Sequence, residues 1–411
     1  MSDFAADSVL WRGPLRQFWI ARVASSVAWQ MLAVAVGWQI YELTNDPLAL
    51  GLVGLSQFVP ALLLLLIAGH VADRYDRRRV TMAAQIVEAC AAALLALGTA
   101  GGFMSRDLIL ITVFLFAAGR TFEAPTMQAL VPALVPAPLL PRAVAATSSA
   151  TQAAIVSGPA LGGFLYMLSP VLTYALCAVL FLTASVLILL LPVRDQGLNP
   201  RKTDLKEFFA GIAYIRRNPV VLGAISLDLF AVLLGGALGL LPIFARDILQ
   251  TGPWGLGILR ASPAVGALAL SVLLIRWAPR RHVGALMFTA VAGFGLATIV
   301  FALSRSLLLS IGALVVLGAM DMVSVVIRQT LVQLETPDAM RGRVSAVNSL
   351  FVGTSNQLGD FRAGTMAALF GSVPSVLIGG ISILLVAAVS IRVFPALLRI
   401  ESLSVRPSRS G

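Results

Sequence analysis

Charge is scarce in this chain. Of its 411 residues only 12% are Asp, Glu, Lys or Arg and 58% are hydrophobic, with a mean hydropathy of +0.92. A soluble globule carries about twice that share of charge, so lipid rather than water is the solvent expected here. Cysteine is scarcer still. Cys90 and Cys177 each lie inside an apolar run, where a thiol behaves as a small hydrophobe. No disulfide framework or metal site is implied. Histidine is limited to His70 and His282, both beside basic clusters, and no nucleophile–base pairing, metal-ligand spacing or phosphate-binding loop occurs. An enzyme is therefore not expected, nor a cofactor. Acidic residues are outnumbered 19 to 30, a net charge of +11. The basic residues fall in short clusters between long apolar runs, which argues for membrane topology and against a nucleic-acid footprint.

Apolar runs of about 20 residues, enough to cross a hydrocarbon core of about 30 Å, are abundant. They predict twelve helices near residues 17–43, 48–70, 80–100, 107–130, 143–168, 171–192, 219–244, 254–277, 283–303, 307–330, 342–368 and 373–396. The first run exceeds the apolar core of a signal peptide and ends without a small-residue cleavage pattern, so it reads as a retained anchor. With the N-terminus inside, the cytoplasmic loops hold most of the arginines, among them Arg74, Arg77, Arg78, Arg79, Arg142, Arg280, Arg341 and Arg343. The opposite loops hold only Arg106, Arg246 and Arg305. That asymmetry predicts a multi-pass protein of the plasma membrane with both termini cytoplasmic.

The longest break in hydrophobicity runs from Leu191 to Asn218. Within it Leu205, Phe208, Phe209, Ile212 and Ile215 recur at helical spacing, predicting an amphipathic helix along the membrane surface. The expected organisation is a six-helix bundle over 1–193, a cytoplasmic linker over 194–217, and a second six-helix bundle with a cytoplasmic tail over 218–411. The halves are related. A shift of 201 residues places Gln128-Ala-Leu-Val on Gln329-Thr-Leu-Val, Pro136 on Pro337, Arg142 on Arg343, Gly158 on Gly359 and Gly163 on Gly364. Two such bundles can rock about a midplane site and expose it to each side in turn.

Between the second and third predicted helices stands Gly69-His70-Val71-Ala72-Asp73-Arg74-Tyr75-Asp76-Arg77-Arg78-Arg79. This resembles the signature loop of the major facilitator superfamily, G-x-x-x-D-R-x-x-R-R-[KR], at the place where that family carries it. The resemblance implies an all-α fold of twelve transmembrane helices in two six-helix bundles, and a gate role for Gly69, Asp73, Arg74, Arg77 and Arg78. Asp73 is suited to accept from free amides at a neighbouring helix N-terminus, and the arginines to bridge bundles or meet anionic lipid. The counterpart Arg276-Trp277-Ala278-Pro279-Arg280-Arg281 keeps the basic charge and lacks the aspartate. Gly158, Pro159, Gly162 and Gly163 resemble the G-P-x-x-G-G motif of drug and proton exchangers in that superfamily, with alanines such as Ala154 where upstream glycines are usual. Tight packing alone is the other reading of that stretch. The stretches from Thr336 to Val344 and from Gln357 to Gly364 resemble the branch that contains enterobactin exporters.

An ionisable residue at mid-membrane costs about 2.5–3.5 kcal/mol on insertion scales and so needs a partner, water or a role. Those expected inside the spans are Arg22, Glu88, Arg120, Glu123, Asp228, Asp321, Arg328 and Asp360. The resemblance places helices 1, 4, 7 and 10 around a central cavity. Asp228 and Asp321 are the first candidates for proton coupling because neither has an opposite charge within one helical turn, and Glu123 is the next. Arg120 is three residues from Glu123 and shares its face. Glu88 is expected in a structural pair, with Arg22 as the partner to test. Gln30, Arg120, Gln152, Arg328 and Asn348 are candidates for the cavity and substrate, and Trp29 for stacking an aromatic ligand. The function expected is export of small amphipathic molecules, siderophore or drug-like, by alternating access and proton antiport. A lipid or lysolipid flippase, an uncoupled facilitator and a non-transporting receptor stay open as alternatives. The partners implied are a small-molecule substrate, protons and the lipid bilayer, with no nucleic acid, and the chain is expected to act as a monomer.

Overall fold

The computed structural model describes residues 13–192, 205–276 and 281–401, and no strand occurs among them. Six long helices come first: α1 (Pro14–Thr44), α2 (Pro47–Arg74), α3 (Arg77–Ala100), α4 (Arg106–Leu134), α5 (Leu140–Leu168) and α6 (Pro170–Leu189). A shorter α7 (Leu205–Arg217) precedes α8 (Pro219–Gly235), α9 (Pro253–Arg276), α10 (Val283–Leu303), α11 (Leu307–Glu335), α12 (Asp338–Phe370) and α13 (Ser372–Val393). Among the described residues ten stretches are long and apolar enough to cross a membrane, Pro219–Ile248 being one of them. Apart from the short α7, the helices outside that group are α5 and α12, which are as long but more polar, and the twelve-helix membrane architecture stands.

The chain enters its helices through small polar residues. Asp46, Asp76, Ser105, Ser169 and Asn218 each accept from a backbone amide in the first turn that follows, at 2.9 to 3.3 Å. Each bond satisfies one of the amides that a helix start leaves free. Prolines at the starts of α1, α2, α6 and α8 cost nothing there, because no hydrogen bond is due from their nitrogens.

The seventh predicted span is not one helix. α8 stops at Gly235, and Gly236 adopts φ +56, a left-handed turn. A Cβ on Gly236 would lie 2.6 Å from the Gly359 carbonyl, so the break needs glycine for both space and backbone angle. Arg362 of α12 donates to the carbonyls of Leu233 and Gly235 at 3.1 and 3.2 Å, satisfying groups that the break sets free. The chain then resumes in short turns and a π-helical segment, Phe244–Ile248.

By contacts the chain divides into two compact units, Met1–Thr203 with Ala245–Ala261, and Asp204–Phe244 with Ser262–Gly411. Within the first, α1 packs on α5 and α6, α3 on α4 and α6, and α2 on α4. Within the second, α8 packs on α12 and α13, and α10 on α11 and α13. These four are the pairings of α1 with α5 and α6 and of α3 with α4 and α6, displaced by the sequence repeat. Helix α7 joins the second unit through Ile215, which is buried with Val221, Val332, Val344 and Val347. A Cβ on Gly211 would meet the Arg343 carbonyl at 2.9 Å, so α7 lies close on α12. The side chains of Leu205 and Phe208, expected on its apolar face, lie outside the described ones.

Glycines bring the backbones together. A Cβ on Gly158 would fall 2.5 Å from Gln30, and one on Gly162 would fall 2.7 Å from the Met31 Cα, both on α1. Gly359, the repeat mate of Gly158, meets α8 in the same manner, 2.9 Å from the Val232 carbonyl. Gly163 faces instead the start of α9, against Pro253 and Gly257. Gly162→Ala should therefore lower stability by about 1–3 kcal/mol, because backbone cannot yield as a side-chain tip does. Gly353→Ala, where the added carbon meets open space, should be neutral or gain up to about 1 kcal/mol. Thermal unfolding of both variants in detergent checks this, and equal melting temperatures would contradict the packing role.

Candidate functional site

The buried charges form one cluster in each unit. In the first, Glu123 of α4 is fully buried and saturated. It pairs with Arg120 one turn away, accepts from Ser25 of α1, and accepts from Gln85 of α3 at 3.0 Å. Three helices meet on this one carboxylate. Arg120 also lies 5.1 Å from the centroid of the Trp29 ring, which stacks on Phe116 at 4.8 Å. Trp29, a candidate for stacking a ligand, is thus already engaged by protein. Gln30 lies against Gly158 at the α1–α5 contact.

One expectation in this unit changes. Glu88 and Arg22 do not pair. Glu88 is fully buried against Gly119 of α4, and neither carboxyl oxygen has a hydrogen-bond partner among the described residues. Arg22 reaches the other way and donates from Nε to the Thr151 hydroxyl at 3.1 Å. It opens onto a cavity of 520 Å³ between α1, α4 and α5, whose polar lining includes Gln128, Ser148, Thr151 and the expected Gln152. A larger groove of 620 Å³ between α2, α3 and α4 is almost wholly apolar and holds none of the buried charges. The smaller cavity is the one with chemistry. Arg22 was visible as a charge in a span, but a pairing preference cannot be read from helix spacing alone.

In the second unit Asp228 of α8 meets Arg328 of α11 at 2.6 Å, with both side chains almost fully buried. Asp228 has no opposite charge near it on its own helix, and its partner comes from another. Arg328 donates also to Asn348 of α12 at 3.4 Å, while its Nε stays without a partner. Asp321 lies seven residues before Arg328 on the same helix, half-buried, and no ion pair or hydrogen bond holds its side chain among the described residues. Two carboxyls thus stand near one arginine, and only one of them holds it.

The basic loop is tied down within its own unit. Arg77 donates to the Ala129 carbonyl at 3.1 Å on α4, and Arg78 to the Leu191 carbonyl at 2.9 Å beyond α6. Arg78 also pairs with Asp76 at 3.0 Å. Burial pushes the Asp76 carboxyl up, but hydrogen bonds and charge from Arg78, aided by Arg79, outweigh this and hold it below the usual carboxylate range. Gly69 lies within α2, Arg74 is exposed at its end, and the side chain of Asp73 lies outside the described ones. Of the second-half counterpart, residues 277–280 lie outside the described residues. Pro159 turns its carbonyl toward Gly257 of α9, so the helix 5 motif packs one face on α1 and the other on α9.

Among known proteins, the family model of the transmembrane secretion effectors matches residues 8–410 of the chain. The enterobactin exporter EntS of Escherichia coli O6:K15:H31 is 28% identical over 413 residues, which cover 96% of this chain and 95% of that one. The protein of the same name from Shigella boydii serotype 18 is 28% identical over 401 residues, 93% of this chain and 92% of its own. A solved bacterial homologue of the human lysosomal transporter Spinster, inward-facing and unoccupied, has a TM-score of 0.75 at 15% identity, covering 93% of this chain and 97% of its own. The nucleoside transporter NupG has a TM-score of 0.65 at 16% identity, covering 94% and 99%. The fold is that of major facilitator transporters, and the chain is a multi-pass membrane protein.

The Asp228–Arg328 pair makes a sharp energetic expectation. Asp228→Asn leaves a buried arginine without its counter-charge and should cost about 3–5 kcal/mol, whereas Asp228→Asn with Arg328→Gln removes both charges and should recover most of it. Thermal unfolding of the two variants in detergent measures the difference. A double variant no more stable than the single would contradict the pairing.

Proposed function

Because the chain belongs to the transmembrane secretion effector family of the major facilitator superfamily, we propose that it exports a small amphipathic molecule by alternating access, in exchange for protons. The names of its relatives support efflux. The mixture of apolar lining and few polar groups suits a siderophore or drug-like compound better than a sugar or inorganic ion. The arginine asymmetry of the loops supports cytoplasmic termini.

Asp321 carries the coupling in this reading. Arg328 is committed to Asp228 at 2.6 Å, which leaves Asp321 as a carboxyl free to take up a proton in one access state and release it in the other. When Asp321 is ionised it competes with Asp228 for the same guanidinium, and the strength of the α8–α11 tie then depends on whether the proton is present. That competition links a proton to a helix contact, as exchange requires. Glu123 has the lesser claim to coupling, because its oxygens are already engaged by donors from three helices. The loop from Gly69 to Arg79 acts as a gate element, with Arg77 and Arg78 anchoring it and Arg74 exposed at the end of α2.

The test uses inverted membrane vesicles energised to form a proton gradient and offered a panel of amphipathic fluorophores. Substrate addition should dissipate the gradient in the native protein, and Asp321→Asn should reduce this at least tenfold while thermal stability is kept. Asp321→Glu should retain part of it. Substrate movement that ignores the gradient in both the native protein and Asp321→Asn would favour the uncoupled facilitator or flippase instead.

A further inference from the structure

The two buried clusters differ in what they leave over. In the second unit a carboxyl is surplus. In the first, Arg120 is matched by Glu123, while among the described residues Arg22 makes one hydrogen bond, to the neutral Thr151, and no salt bridge. A guanidinium has five N–H donors, so most of those of Arg22 are unused. An unpaired arginine within a transmembrane helix is costly and is kept where it faces water, a partner or a ligand. The remaining buried acid of the unit, Glu88, sits on α3 against Gly119 and forms no salt bridge with Arg22.

The surroundings of Arg22 have the form of a receptor. Its cavity is lined on one side by Gln128, Ser148, Thr151 and Gln152, and on the other by apolar groups such as Val131, Leu140 and Val144. Among the described residues no acidic side chain lines it. An amphipathic anion fits this arrangement: its charged oxygens take the free donors of Arg22, neutral amides and hydroxyls complete the polar contacts, and its apolar body lies along the aliphatic wall. Arginine is suited to bind a carboxylate, sulfonate or phenolate, because its planar fork can meet two oxygens at once.

We infer that this cavity of α1, α4 and α5 is a binding site for amphipathic organic anions, with Arg22 as the residue that recognises their charge. The inference rests on the export reading for its physiological meaning, and it names the class of molecule exported. It also agrees with the energetics of export, since an inside-negative membrane potential drives an anion outward.

Two fluorescent probes separate charge from shape: 5-dimethylaminonaphthalene-1-sulfonate and its neutral sulfonamide. The purified full-length protein should bind the sulfonate at least roughly tenfold more tightly than the amide, as expected for a charge-assisted contact. Arg22→Gln should bring that ratio close to one, and Arg22→Lys should keep part of it. If Arg22→Gln does not fold, Gln152→Glu provides the second measure. It places a carboxylate in the same cavity and should lower the ratio several-fold with Arg22 intact. Equal affinity for the two probes in the native protein, or a preference that persists in both Arg22→Gln and Gln152→Glu, would overturn the site. Transport of the same probes by proteoliposomes distinguishes the two levels. Movement of the amide without preference for the sulfonate sinks the anion site and leaves export standing. Arg22-dependent binding of the sulfonate with movement of neither probe upholds the site and counts against export.

Discussion

A hydrocarbon solvent offers a polar group nothing, and each helix of this protein is shaped by that constraint. Backbone amides and carbonyls must be satisfied within the helix, and where a helix breaks, another element must take over. Arg362 does this at the end of α8, where it reaches the carbonyls of Leu233 and Gly235. The same solvent removes the hydrophobic drive that joins helices in water, so association depends on close shape. Gly158 and Gly162 let α5 approach α1, and Gly359 does the same for α12 on α8. The repeated glycine and the repeated helix pairing are one feature seen at two levels.

Charge in such a solvent is too costly to be incidental. Each unit gathers its buried ionisable side chains into one cluster. In the first, Glu123 joins α1, α3 and α4 through Ser25, Gln85 and Arg120. In the second, Arg328 joins α8, α11 and α12 through Asp228 and Asn348. Satisfied groups of this kind specify how helices pack. The groups left over, Arg22 and Glu88 in one unit and Asp321 in the other, are the ones with capacity for a ligand or a proton.

Much of the architecture was legible beforehand. The apolar runs located eleven of the twelve spans to within about five residues and missed the break in the seventh, and the offset of 201 residues anticipated equivalent helix pairings. The loop from Gly69 to Arg79 indicated the superfamily. The site was legible only as a set of residues. Arg120 and Glu123 were readable as a pair because three residues along a helix is a neighbouring position. Asp228 was recognised as a buried acid, but its counter-charge stands one hundred residues later on α11. The run from Pro219 to Ile248 is apolar throughout, and hydropathy does not register that Gly236 leaves the helix.

The sequence by itself determined the solvent, the number of helices, their kinship by repeat and the family, because each of these depends on local composition, length or motif. The tertiary structure alone decided which charges meet across helices. Arg22 turns to Thr151 and a cavity rather than to Glu88, and Arg328 is held by Asp228 rather than by Asp321 on its own helix. These choices depend on the rotation of one helix against another, and that rotation is set by where glycines admit close contact across residues far apart in the chain.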